Sequence, residues 1–121
     1  MNNESQDSNS HRVIFRTPQF DSFYSSLPQK VTAKFDYVFL ILQNVYNIPA
    51  KFVKHLENTN LYEMRVSTGS NEYRSIIFTI DHTNIIEAKK IILLSGFLKK
   101  STKDYKKQIE AATKILEGLR P

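Results

Sequence analysis

The chain has 121 residues, 40% of them hydrophobic and 24% charged, enough for one domain with a core of its own. It has no cysteine, which excludes a disulfide framework and a thiolate metal site, and no apolar run long enough to span a bilayer. A formal net charge of +5 and a pI near 9.5 favour a polyanionic partner, although plain basic proteins carry a similar excess.

Residues 1–10 are polar throughout and lack the hydrophobic segment of a signal peptide. They read as a disordered N-terminal tail ahead of a single domain over residues 11–121, in a cytoplasmic protein. His11 to Phe15 is a β-type run and the first predicted strand. Thr17-Pro18 offers a cap followed by proline at the first helical position, which predicts a short helix through Phe20, Phe23 and Tyr24. Ser26, just ahead of Leu27-Pro28, predicts a second helix start. From Gln29 to Tyr46, Val31, Phe35, Val38, Phe39, Leu42, Val45 and Tyr46 recur at helical spacing, and Pro49 stops the pattern. The stripe is aromatic-rich and the opposite face thinly charged, so packing on a sheet outweighs a DNA- or membrane-binding role. Phe52, Val53 and Leu56 suggest another helical turn. On it Lys51, Lys54 and His55 form a solvated face able to approach RNA.

Thr68-Gly69-Ser70-Asn71 is a turn between two β-rich runs. A two-residue loop at Gly69-Ser70, or a four-residue loop, sets Arg65 opposite Arg74; a three-residue loop sets them on opposite faces. Facing arginines repel unless an anion sits between them, or unless Glu63, two residues before Arg65 on the same face, neutralises them. Tyr73 to Ile80 reads as a buried strand and Asp81 to Asn84 as a turn. Ile85 to Ala88 is ambiguous, and Lys90 to Leu94 is a second apolar strand. Gly96 then breaks the run, Phe97 follows, and Lys99, Lys100 and Lys103 fall within five residues. Ser101 or Thr102 caps the last helix, with Asp104 in its first turn. Ile109, Ala112, Ile115, Leu116 and Leu119 form its apolar face, and Gly118 suits its end.

No familiar hydrolytic set emerges. His11, His55 and His82 have no metal-ligand spacing, and three glycines make no phosphate loop. What remains is basic and aromatic: Arg65, Arg74, Phe97, Lys99, Lys100 and Lys103, with Glu63 and Tyr73 adjacent. Such a set suits RNA, which carries its own nucleophile: the 2′-OH attacks the neighbouring phosphate, and the protein aligns it and stabilises the charge. Arginine offers a bidentate fork, lysine holds phosphates or moves a proton, and an aromatic stacks on a splayed base. Phe97 fits stacking and core packing equally well. No metal and no cofactor are expected.

The strand Leu61-Tyr62-Glu63-Met64-Arg65, the strand Tyr73-Arg74 and the segment Leu94-Ser95-Gly96-Phe97-Leu98-Lys99-Lys100, in that order, resemble the RelE/ParE toxin superfamily in its phage-derived, HigB-like branch. The resemblance runs in register from Leu61 to Leu116. Ser95 stands where that pattern has His or Asn, Tyr62 where it has an aromatic such as Trp, and the segment Asp81 to Ala88 is longer than usual. The resemblance implies an α+β fold: early helices packed on a mainly antiparallel sheet of about four strands, then a C-terminal helix. It implies the toxin of a type II toxin–antitoxin system that cleaves mRNA at the ribosome, held inactive by a cognate antitoxin of helix-turn-helix type. Arg65, Arg74, Lys99 and Lys100 become the catalytic candidates. Phe97, Lys103, Tyr73 and Lys54 become RNA-binding candidates, and Glu63 an acid/base or charge-balancing one. The alternative is a non-enzymatic toxin or basic interaction module that inhibits gyrase or binds nucleic acid.

Overall fold

The computed structural model describes residues 11–120, so the expected tail over residues 1–10 lies outside the described residues. Strand β1 (Val13–Arg16) leads into helices α1 (Pro18–Ser25) and α2 (Gln29–Asn44). Strands β2 (Val53–His55), β3 (Leu61–Thr68), β4 (Asn71–Thr79) and β5 (Lys90–Leu98) follow, and helix α3 (Thr102–Leu119) closes the fold. The class is α+β, as expected. The sheet has five strands in the order β1-β5-β4-β3-β2 and is mixed, because β1 runs parallel to β5.

The expected turn of helix at Phe52 to Leu56 is instead β2, paired antiparallel with β3 at Val53↔Met64 and His55↔Tyr62. A three-residue strand is too short to display period two, and its flanking Phe52 and Leu56 imitate helical spacing. Thr17 caps α1 as expected, its Oγ1 accepting from the Phe20 N–H at 3.0 Å. The second helix starts there as expected, at Gln29 directly after Pro28 but with no side-chain cap, and Ser26 closes α1. Ser101 caps α3, accepting from the Asp104 N–H at 3.1 Å.

The sheet separates two cores. On one face Phe20, Phe35, Val38 and Leu42 of α1 and α2 meet Met64, Val66, Tyr73, Ile77 and Leu93. On the other, Ala112 of α3 meets Leu61, Ile76, Leu94 and Phe97. Leu94 and Phe97 are three residues apart, so a regular strand would point them to opposite faces. A register shift between Ile76 and Ile77 brings both under α3. The strand does not end at Leu94, as the glycine suggested. Gly96 lies inside β5 because Phe23 of α1 rests on it: a Cβ there would stand 2.2 Å from the Phe23 ring.

Arg12, which the sequence reading passed over, is 2% exposed. Its guanidinium donates to the carbonyls of Leu42 (3.0 Å), Val45 (2.6 Å) and Tyr46 (2.6 Å) at the C-terminal end of α2, and to those of Ile85 (2.9 Å) and Ile86 (3.1 Å). Carbonyls at a helix C-terminus carry partial negative charge, so the cation is matched without a carboxylate. Burial pulls its pKa below the usual arginine value.

Candidate functional site

Hairpin geometry builds the site. Gly69 takes φ 58°, the left-handed conformation a two-residue turn needs, and Thr68 pairs with Asn71. Arg65 is therefore opposite Arg74, and Arg74 is opposite Phe97 on β5. Glu63, Arg65 and Arg74 lie on the face that α3 covers in part. The β5 backbone runs on past Leu98, where the Lys99 N–H donates to the Glu72 carbonyl at 2.7 Å. That bond holds the lysine pair beside the hairpin.

A buried carboxylate resolves the like-charge clash. Glu63, 3% exposed, accepts from Arg65 Nε at 2.6 Å, and Arg74 Nε lies 3.7 Å from its other oxygen. The same oxygen accepts a hydrogen bond from Tyr105 of α3. Burial, and then the bond to Glu63, raise the Tyr105 hydroxyl well above the usual tyrosine value. The tyrosine therefore stays protonated and donating. Arg74 also donates to the Tyr73 carbonyl at 3.0 Å and to Glu72 at 3.3 Å. A hydrogen bond from Ser67, and then Arg74, hold the Glu72 carboxyl below its ordinary value. Among described residues, Arg65 is held through Nε alone, and its side chain is 30% exposed. Its terminal N–H groups are the donors left for a ligand.

In front of this network lies an open cleft of about 330 Å³. Lys54, His55, Leu56 and Glu57 form one wall, Lys99, Lys100, Thr102 and Tyr105 the other, with Glu63 and Arg65 at the floor. Four cations thus face two carboxylates. The cleft brings Arg65, Lys99, Lys100, Lys54 and Glu63 together.

Four other candidates are placed elsewhere. Arg74 is 6% exposed and sits behind Glu63. Phe97, 6% exposed, packs edge-on against Tyr105 at 5.9 Å in the α3 core, so its ring is not offered to a base. Tyr73 points to the opposite face, 5.9 Å from the Phe35 ring, because residues 73 and 74 alternate across the sheet. Lys103 is exposed on the first turn of α3, outside the cleft lining. Ser95 is buried with its hydroxyl unpartnered among described residues.

Tyr105 was missed by the sequence reading. A signal existed: Tyr105, Ile109, Ala112 and Leu116 recur at spacings of four, three and four, so the tyrosine belongs to the sheet-facing stripe of α3. Lys54, expected on a helical turn, is instead a strand residue opposite Glu63 and joins the cleft.

Among the described residues no three His, Cys, Asp or Glu side chains are grouped to hold a metal ion. No helix there is long and apolar enough to cross a membrane. Residues 22–117 match a family profile described as "Phage derived protein Gp49-like (DUF891)". No curated protein matches the chain.

Proposed function

We propose that this chain, which belongs to the Gp49-like family of phage-derived proteins, is a toxin that cleaves mRNA in the ribosome. The family is associated with toxin–antitoxin systems, which supports an antitoxin as the partner that silences it. The resemblance to HigB-like RelE/ParE toxins points the same way. The observation that carries the endoribonuclease reading is Arg65. It lines a cationic cleft, anchored by Nε, and its terminal N–H groups have no hydrogen-bond partner among the described residues.

In this mechanism the RNA 2′-oxygen attacks the adjacent phosphorus and the 5′-oxygen leaves, giving a 2′,3′-cyclic phosphate and a 5′-hydroxyl. Arg65 binds the non-bridging oxygens, whose charge grows in the transition state. Lys99, Lys100 and Lys54 hold the flanking phosphates and are the groups able to exchange protons with the two reacting oxygens. Glu63 is saturated with donors and serves to fix Arg65 rather than to take a proton. Arg74 and Tyr105 are positioning residues that act through Glu63.

The second reading is a toxin that binds without cutting, as a gyrase inhibitor would. It is favoured by the Glu63 carboxylate, which satisfies the arginine pair without any external anion. The separating experiment is induced expression with mapping of mRNA 5′ ends, beside single-turnover cleavage on programmed ribosomes. New 5′ ends in frame with codons support the nuclease; growth arrest with intact mRNA sinks it.

A further inference from the structure

A second recess opens on the other side of Arg65. It holds about 300 Å³ and is lined by Lys34, Tyr37 and Val38 of α2, by Lys51 and Phe52, and by Arg65 to Ser67 of β3. It exists because β2 covers β3 only as far as Met64, leaving the stretch beyond Arg65 to face α2. No carboxylate lines it. Its aromatic is unusual for a helix surface: Tyr37 is 55% exposed and meets the Phe52 ring edge-on at 6.1 Å. The Lys51 ammonium lies 4.9 Å from the Phe52 ring centre. Lys34 and Tyr37 are three apart on α2 and share one face.

An exposed tyrosine beside a half-buried phenylalanine, flanked by lysines and without acidic residues, suits a single-stranded nucleic acid platform. Hydrophobic packing does not explain Tyr37, since the buried stripe of α2 is Val31, Phe35, Val38 and Leu42. Arg65 lines both recesses, so a strand whose scissile phosphate sits on Arg65 runs from one into the other.

We propose that this α2–β3 recess is a subsite for the RNA nucleotide next to the cleaved one, on the side away from Lys99 and Lys100. The base stacks on Tyr37 and its phosphate sits between Lys34 and Lys51. The proposal rests on the endoribonuclease reading and adds to it a binding residue set that the reaction itself does not require.

The test uses the purified full chain and single-stranded RNA oligonucleotides of three and six nucleotides, with a 2′-deoxy block at the cleavage position. Affinity is read by fluorescence anisotropy across a salt series. The wild type is expected to gain about tenfold from the longer oligonucleotide. Tyr37→Ala removes about tenfold, within the range of one base–aromatic stack, while Tyr37→Phe retains the gain. Lys34→Ala with Lys51→Ala weakens binding and lowers the salt slope by about one to two. All three side chains are exposed, and melting curves check that each variant is folded. Equal length gain in wild type, Tyr37→Ala and the lysine double variant overturns the subsite and assigns the recess to a protein partner. Length-dependent binding lost in the variants, with no cleavage by the wild type on programmed ribosomes, keeps the subsite and removes the nuclease.

Discussion

Glu63 accepts hydrogen bonds from Arg65 and Tyr105 and pairs with Arg74 at 3.7 Å, and these three partners differ in what they expose. Arg65 and Tyr105 line the cleft; Arg74 stays behind Glu63. Arg65→Ala is therefore expected to slow single-turnover cleavage on saturated ribosomes by about a hundredfold or more, since one donor to a transition-state oxyanion contributes on that order. Arg74→Ala is expected to lower stability by about 2 kcal/mol, because it strips a buried carboxylate of a charged partner, and to slow cleavage less. Denaturant titration beside the cleavage assay separates the two. If Arg74→Ala is as stable as wild type and as slow as Arg65→Ala, Arg74 touches the phosphate after all. Tyr105 makes a prediction about pH. Its folded pKa is raised above the ordinary 10.0. The stability it contributes is whole below pH 10, where both states keep the proton. Above that the unfolded chain ionises first, so stability falls as pH rises toward the folded value. Tyr105→Phe is expected to flatten that fall by up to about 1.4 kcal/mol per pH unit, the slope of one proton, in urea titrations from pH 9 to 11.

At the scale of elements, β5 and α1 are locked together by an absent side chain. Gly96→Ala is expected to destabilise by about 1–3 kcal/mol, because the new methyl must push the Phe23 ring and α1 away from the strand. Unfolding in urea with an unchanged m-value checks this; a neutral substitution would mean that Phe23 swings free at no cost. The facing of Arg65 and Arg74 was legible, because Gly69-Ser70 is a turn signal and strand alternation has no freedom once the loop is two residues long. The helix caps Thr17 and Ser101 were legible for a similar reason: each is a local exchange of one side-chain oxygen for one backbone N–H. β2 was not, since three residues cannot establish a period. The burial of Phe97 and of Arg74 was not either. Both depend on where α3 lies across the sheet, and a long-range packing decision leaves no mark on the strand it covers. Arg12 shows the same limit, its five carbonyl partners coming from segments 30 to 74 positions away.

For the whole molecule, the cleft gathers four of the cations against two carboxylates. Replacing Lys54, Lys99 and Lys100 together by alanine is expected to reduce the slope of log affinity against log salt by about 2, at roughly 0.7 per phosphate contact on a single strand. An unchanged slope in that triple variant would show that these lysines do not meet phosphates. The same lysines define what a silencing partner must bring. An antitoxin segment carrying Asp or Glu is expected to lie over the cleft, because complementary charge both speeds docking and excludes RNA. Amine labelling of Lys99 and Lys100, free and in complex, measures it. Labels unchanged by the antitoxin would leave only exclusion from the ribosome as the route to silencing.

The parallel pairing of β1 with β5 sets an order in time. Thr17 Oγ1 donates to the Leu94 carbonyl across 77 positions of sequence, and Arg12 reaches Ile85 across 73. The β3–β4 hairpin closes over two residues. Closing long loops is entropically slow and local pairing is fast, so the N-terminal strand is the last to dock and the first to open. Hydrogen exchange is expected to find the β1 amides opening well before those of β4. Birth imposes the same order. Glu63 has no tyrosine partner until α3 has been synthesised, and β1 has no strand to join until β5 exists. The floor of the cleft is therefore completed late in synthesis, once the α3 segment can pack on the sheet and Tyr105 can reach Glu63.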